Sequence, residues 1–496
     1  MKKNILYLAA IAVTMLFGSC ANALDVDPAG SSISDEQLQE LIKKDADKVL
    51  APMMQSAISF LHSAAPDSGT EDIGYACWGL EMDMQGNDMV LSNNTNWYAD
   101  QYALINLRRQ TDSFTSGRWS LYYKMVYKAN QILDLIPADV TGAAAIYKAQ
   151  ALTYRALAYY NLMYLYQDDY MHGGKDKAGV PLHLTVGGAM GRTPSTEVYA
   201  QIKGDLESAV TLFEENAYNP QETIADIDQD VANMILARVC VTIGEYDDAV
   251  TAAEAVIASG YSLMNEEQYT GGFLDVSYPE TIFGYDWAIS TSNGNKAFSA
   301  WTSPSILDNN GSNQGIYICI DDRLYNQIPD TDYRKKNFVK ESGPVVNVND
   351  GKSYERPAYV STKFDHPTWE TDEIFFRLSE AYLLKAEAEA RNNQAAAAQQ
   401  TLFDLVSKRD SGYTKSSKTG DELLKEIHLQ SRIELWGEGH EWYTNKRFNV
   451  GIDRTDSGNH IDKVVQAAGK LFTFQIPLSS EINSNPYITD ADQNPL

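Results

Sequence analysis

The chain has 496 residues, 44% hydrophobic and 22% charged, with 67 acidic side chains against 40 basic ones and a formal charge of −27. Such length and apolar content can bury several cores' worth of surface, so the chain is read as globular rather than disordered. The acidic excess argues against nucleic acid as a partner. Neutralising phosphates takes clustered Lys and Arg, and the longest basic run here is Arg334, Lys335, Lys336.

At the N-terminus Lys2 and Lys3 precede an apolar run over 5–17, shorter than the roughly 20 residues a membrane-spanning helix needs, and so of the kind found in export signals. Gly18-Ser19-Cys20 follows, and small residues before a cysteine resemble the lipobox of bacterial lipoproteins, whose cysteine carries the lipid. Several acyl chains on one residue anchor stably where one binds reversibly. Ala21 in place of aspartate permits, by the same resemblance, sorting to the outer membrane. The expected division is a signal peptide at 1–19, a lipidated tether at 20–34 and a single domain at 35–496.

Within that domain the spacing of Leu38, Leu41, Ile42, Val49 and Leu50 predicts helix over 35–62. Residues 63–117, with Gly69, Gly74, Gly79 and Gly86, read as a long irregular stretch, and stretches of that length are usually functional. Helices are predicted over 118–136 and 143–166, where the stripe Tyr147, Tyr154, Tyr160, Tyr164 reads as packing, and over 193–213 with Pro194 at its start. Residues 231–260 form a hairpin: Val231, Ile235, Val239 and Ile243 line one face, Gly244 ends the first helix, and Ala249, Ala252 and Ala253 keep the second slim. A second copy at 379–408 sets Asn392 opposite Gly244. Paired hairpins of this kind resemble tetratricopeptide repeats, which stack because one hairpin cannot bury its own face.

Residues 261–372 lose helical period and read as loops with a few short strands. A last helical region at 421–448 precedes an extended strap at 472–496, where Pro477, Pro486 and Pro495 block helix and sheet. The scaffold is thus placed mainly at 118–260 and 373–450, and the loop-rich ligand region at 63–117 and 261–372. Besides Cys20 there are Cys77, Cys240 and Cys319; three cannot pair completely, and Cys240 falls on an apolar helix face.

Five marks in order then point to a family. They are Cys20 followed by Leu24-Asp25-Val26-Asp27-Pro28, Trp119 with Tyr122, Tyr123 and Ala129-Asn130, the run RLSEAYL from Arg377 into Ala386-Glu387-Ala388, the run RIELWGEGHEWYTNKRF from Arg432, and the closing FQIPLSSEINSNPYITDADQNPL. Together they resemble the SusD/RagB family of lipid-anchored nutrient-binding proteins. The resemblance implies a mainly α, tetratricopeptide-like fold and capture of an oligosaccharide outside the cell. It further implies delivery to a SusC-like TonB-dependent transporter in the outer membrane, with no catalysis and no cofactor. Two other readings stay open: a RagB-like peptide carrier, and a non-binding structural subunit of the transporter complex. Arg432, Glu434, Glu438 and Arg447 are expected to pair around a helix end, with Trp436 and Trp442 filling the gap beside it.

Catalytic and metal motifs fail on inspection. Gly351-Lys352-Ser353 lacks the first glycine of a phosphate loop, since Val346 stands there, and His440 has Thr444, not histidine, four residues on. Asp226, Asp228 and Asp230 begin like a calcium loop, but Val231 replaces its glycine and Ala237 its bidentate glutamate. No metal is assigned.

Glycan capture needs flat rings beside hydrogen-bonding side chains on pre-set loops. Trp119, Trp436 and Trp442 fall on predicted helices, which leaves Trp78, Trp97, Trp287, Trp301 and Trp369 in irregular stretches. The densest cluster is Asn93 to Asp100, from which Asn94, Asn96, Trp97, Tyr98 and Asp100 are the candidate contacts. Asp286 with Trp287 and Trp301, together with Trp78, complete the candidate set.

Overall fold

The computed structural model describes residues 34–66, 73–93, 98–105, 107–218, 224–273, 275–286, 298–305, 317–346, 351–366, 372–469 and 472–496. The expected signal peptide, Cys20 and nearly all of the tether lie outside the described residues.

The first predicted helix is two, α1 (Asp35–Lys44), opened by a Ser34–Gln37 capping box, and α2 (Asp47–Ser63). Next come α3 (Tyr75–Asp83) and β1 (Met89–Leu91). The stretch expected to be irregular is therefore partly ordered. Gly79 sits inside α3 because the helix meets another glycine there: a Cβ on Gly79 would lie 2.9 Å from the Gly439 Cα.

The scaffold runs through α4 (Ser113–Leu135), α5 (Ala143–Tyr166), α6 (Ser195–Glu215), α7 (Gln229–Ile243) and α8 (Tyr246–Ala258). Asp228, one of the would-be calcium ligands, caps α7 by accepting from the Val231 amide at 2.9 Å. Gly244 at φ +82° ends α7 as expected. Tyr154, Tyr160 and Tyr164 are buried in the helical core.

A loop-rich segment then carries β2 (Thr281–Tyr285), α9 (Phe298–Thr302) and β3 (Ile318–Ile320). It continues through β4 (Phe338–Val339), β5 (Gly343–Val346), β6 (Ser353–Arg356), β7 (Val360–Ser361) and β8 (Glu373–Arg377). Strands β1-β3-β7-β4 make one sheet, β2 pairs antiparallel with β8, and β5 with β6. The second hairpin is α10 (Leu378–Arg391) and α11 (Ala395–Arg409), followed by α12 (Gly420–Glu434) and α13 (Glu441–Arg447). Its turn comes one residue later than the alignment of the two copies placed it, with Asn393 rather than Asn392 in the left-handed region at φ +60°.

Neighbouring helices from α4 through α8 pack in sequence, and α8 packs on α10, which also meets α11 and α12. The fold is mainly α, with stacked hairpins of the tetratricopeptide kind. Arg238 on α7 binds Glu380 on α10 through two bonds of 2.5 and 2.6 Å, joining the two hairpins directly. No helix among the described residues is long and apolar enough to cross a membrane.

Beside two smaller apolar clusters, one along α10–α12 and one on the β1–β3–β7 sheet, the described residues form two large cores. One fills the helical scaffold, and the other, around Tyr98, Tyr102, Trp301, Phe364 and Trp436, lies under the loop-rich segment. The α12–α13 connection sits where they meet, and this overturns the expected pairing among Arg432, Glu434, Glu438 and Arg447. Arg432 binds Asp88, Arg447 binds Glu387, Glu438 takes Arg377 and Lys363, and Glu434 takes Arg334, Arg377 and Arg409. Glu434 and Glu438 share Arg377 of β8, while Arg432 and Arg447 turn to Asp88 and Glu387, so no ion pair forms among the four. Trp436 and Trp442 do fill this junction, one in each core.

Candidate functional site

The β2–β8 and β1–β3 ladders bring several chain exits together. Leu91 pairs with Ile318, and the Ser92 amide donates to the Tyr317 carbonyl at 3.1 Å, so the chain leaves β1 where it enters β3. Tyr285 pairs with Glu373, so Asp286 and Asp372 flank the end of the second ladder. Between the two ladders lies α9. Its Trp301 meets Tyr98 edge-on at 5.4 Å, and its Phe298 meets Phe364 edge-on at 5.0 Å.

The described residues that bracket 94–97, 287–297, 306–316 and 367–371 therefore share one end of the molecule. Trp97, Asn94, Asn96 and Trp287, expected as contacts, and Trp369 lie outside the described residues. Asp100 and Asp286 are exposed beside this end. Tyr98 is 1% exposed and Trp301 7%, so these two rings form a floor rather than an open face. The Trp301 indole N–H is buried with no acceptor among the described residues.

Trp78 is also placed differently from its reading as a loop ring. It lies on α3, is buried, and its indole N–H donates to the Ala64 carbonyl at 3.1 Å. The helix was missed because Gly74, Gly79 and Gly86 read as loop punctuation, whereas Gly79 serves the close crossing with Gly439.

Four residues at this end had no signal in the sequence. Ser303 Oγ donates to Asp365 Oδ1 at 2.9 Å and accepts from the His366 amide at 3.1 Å, while Ser305 Oγ donates to Asp365 Oδ2 at 3.0 Å. Ser303 and Asp365 stand 62 positions apart, and no motif marks such a pair. Burial pushes the His366 imidazole down to about 3, so it is neutral here.

Behind this end, between the cores, lies a cavity of about 80 Å³ whose lining includes Tyr75, Trp78, Phe298, Glu380 and His440. Water occupies roughly 30 Å³ per molecule and an aromatic ring needs a cavity of about 150 Å³, so this space suits a few waters rather than a sugar ring. Burial pushes His440 down to about 4, and the Glu380 carboxylate beside it is already committed to Arg238.

Among the described residues, one group of side chains has ligand atoms close enough for a metal: Cys240, Glu245 and Asp248. Lys203 Nζ binds both of these carboxylates, and burial pushes the Cys240 thiol up to about 12. An ammonium thus holds the position a cation would take, and the sulfur is a thiol rather than the thiolate that metals bind.

Comparison with known proteins agrees with this architecture. The profile of a family described as starch-binding and associating with the outer membrane matches residues 43–240, and that of the SusD family matches 359–495. A SusD-like protein, P38, of Formosa agariphila is 25% identical over 91% of this chain and 92% of its own length. A SusD-like carbohydrate-binding protein from Bacteroides vulgatus superposes with TM-score 0.76 at 22% identity, covering 90% of this chain and 98% of that one. Surface glycan-binding protein A from Bacteroides thetaiotaomicron, in complex with laminarihexaose, superposes with TM-score 0.67 at 18% identity, covering 87% of this chain and 96% of that one.

Proposed function

Because this chain belongs to the SusD/RagB family, we propose that it binds glycan at the cell surface and passes it to a SusC-like TonB-dependent transporter, without catalysing a reaction. The observation that carries the reading is the match of both halves of the chain to this family, joined to the likeness of its fold to a glycan-binding protein solved with laminarihexaose. The convergence of the loop-bracketing residues around Tyr98, α9 and Asp365 supports a ligand surface at that end. Trp97 with Asn94, Asn96 and Asp100, and Trp287 with Asp286, supply its rings and hydrogen-bonding groups, over a floor made by Trp301 and Tyr98. Cys20 carries the lipid that holds the domain on the outer membrane, facing the exterior, after removal of residues 1–19.

The experiment is affinity electrophoresis of the soluble domain, starting at residue 21, through gels containing soluble starch, laminarin and other polysaccharides, with Trp97→Ala alongside. Retardation by one glycan that Trp97→Ala abolishes while the protein stays folded is the expected result. Retardation unaffected by that substitution moves the rings to Trp287 and Trp301. Absence of retardation by every glycan overturns the reading.

A further inference from the structure

We propose that Asp365 is a positioning residue for ligand capture, fixing through Ser303 and Ser305 the placement of α9 and its Trp301. The inference rests on the glycan-binding reading and adds a determinant that touches no ligand itself.

The helix that carries Trp301 cannot hold its own place. It has five residues, far below the roughly 12–15 at which an isolated helix becomes even marginal in water. Tyr98 and Phe364 pack its rings from two sides, but ring contacts leave freedom to slide, whereas paired hydrogen bonds to a carboxylate fix direction as well as distance.

Asp365 supplies those bonds. Both of its carboxylate oxygens are engaged, one by Ser303 Oγ at 2.9 Å and the other by Ser305 Oγ at 3.0 Å. No Lys or Arg among the described residues forms an ion pair with it. Ser303 is held a second time by the His366 amide at 3.1 Å. The knot therefore ties the C-terminal end of α9 to the segment that follows Phe364.

Its base is rigid. Lys363, two residues before, donates to the Glu434 and Trp436 carbonyls at 3.0 and 2.8 Å and to Glu438 Oε1 at 2.5 Å. Phe364 packs on Phe273 at 5.7 Å as well as on Phe298. Asp365 thus extends a fixed point of the interior out to the end of a one-turn element, the kind of support that a binding constellation needs to hold its geometry to about half an ångström.

The test is affinity electrophoresis in soluble starch and laminarin gels with D365A, D365N, S305A and the double variant D365A/S305A, each checked by circular dichroism. Hydrogen exchange over 298–305 is read in parallel. D365A is expected to weaken retardation by about tenfold in affinity, the effect of losing charge-assisted bonds, and to lose exchange protection over 298–305. D365N keeps one acceptor and offers Ser305 a donor, so it should bind within a few-fold of wild type, a rescue that a purely structural loss would not track. S305A should fall between them, and D365A/S305A should bind no worse than D365A. Should D365A not fold, S305A carries the test in the same direction. Wild-type retardation retained in D365A, or D365N as impaired as D365A, overturns this inference alone. Absence of retardation of the wild-type protein overturns the binding reading and this inference with it.

Discussion

Arg377 Nη1 lies 2.7 Å from Glu434 Oε1 in an interior where the carboxylate is 0% exposed. Glu434 also receives Arg334 and Arg409, each at 3.0 Å. Burial alone would raise its pKa, but Arg409, Arg377 and Arg334 together hold it well below the usual carboxylate range. This lattice joins β8, the 310 turn at Tyr333–Asn337, α11 and α12, and so clamps the loop-rich segment to the helical scaffold.

Replacing Glu434 by Gln should leave three buried guanidiniums short of one negative charge. Breaking a buried ion pair by removing one partner costs about 3–5 kcal/mol. Urea unfolding of Glu434→Gln is expected to show a loss in that range, and a midpoint unchanged from wild type would contradict the role given to this residue.

The charge lattice also fixes the acid limb of stability. Glu438 is held at about 2 against an ordinary 4.5, with burial opposed by Arg377 and Lys363, and Glu380 and Glu387 are lowered by Arg238 and Arg447 against burial. A depressed carboxylate contributes stability that is complete above its unfolded pKa and lost as pH falls through the folded value. Asp83 and Asp228 act in the other direction: burial pushes both up to about 7, so their contribution is present at low pH and lost as pH rises through 7. Thermal midpoints measured across pH should therefore peak near 4.5, fall steeply below it and decline more gently toward 7. A midpoint that stays level down to pH 2.5 or so would be inconsistent with depressed carboxylates.

Lys446 fastens the C-terminal strap. Its buried Nζ donates to the carbonyls of Tyr164 and Gln167 at the end of α5 and to that of Phe472 at 3.2 Å. Lys446→Met keeps the volume but orphans these carbonyls, at a cost of about 1.5–3 kcal/mol for bonds to a charged group. Limited proteolysis should then cut within 472–496 before the helical scaffold, and equal resistance in both proteins would show the strap to be held by other contacts.

Gly439 has φ +82°, and a Cβ there would lie 2.5 Å from the Gly79 Cα. Gly142 has φ +62° with open space around it. Gly142→Ala should cost only the left-handed backbone penalty, about 1–2 kcal/mol. Gly439→Ala should cost clearly more, because α3 must also move. Equal losses in denaturant would mean that the α3 crossing yields freely.

The helical scaffold was legible because its signals are local. The four-residue spacing from Val231 to Ile243 and the glycine at 244 need no distant partner to be read. Long-range partners were not. Nothing near Arg432 in the chain announces Asp88, and nothing near Ser303 announces Asp365, because pairing across that separation is set by the packing of whole elements. The rings were half legible: composition picked out Trp301 and Tyr98 as candidates in separate stretches, but local polarity made them read as exposed when a second core covers them and packs them together. Trp78 was misplaced for the opposite reason, a glycine taken for a turn where it marks a tight crossing.

The most direct measurement is isothermal titration of the soluble domain with laminarihexaose and maltoheptaose, and separately with a mixture of tryptic peptides. The account predicts saturable heat with an oligosaccharide and none with the peptides. Saturable heat with the peptides and none with either oligosaccharide would contradict it and identify the chain as a peptide carrier.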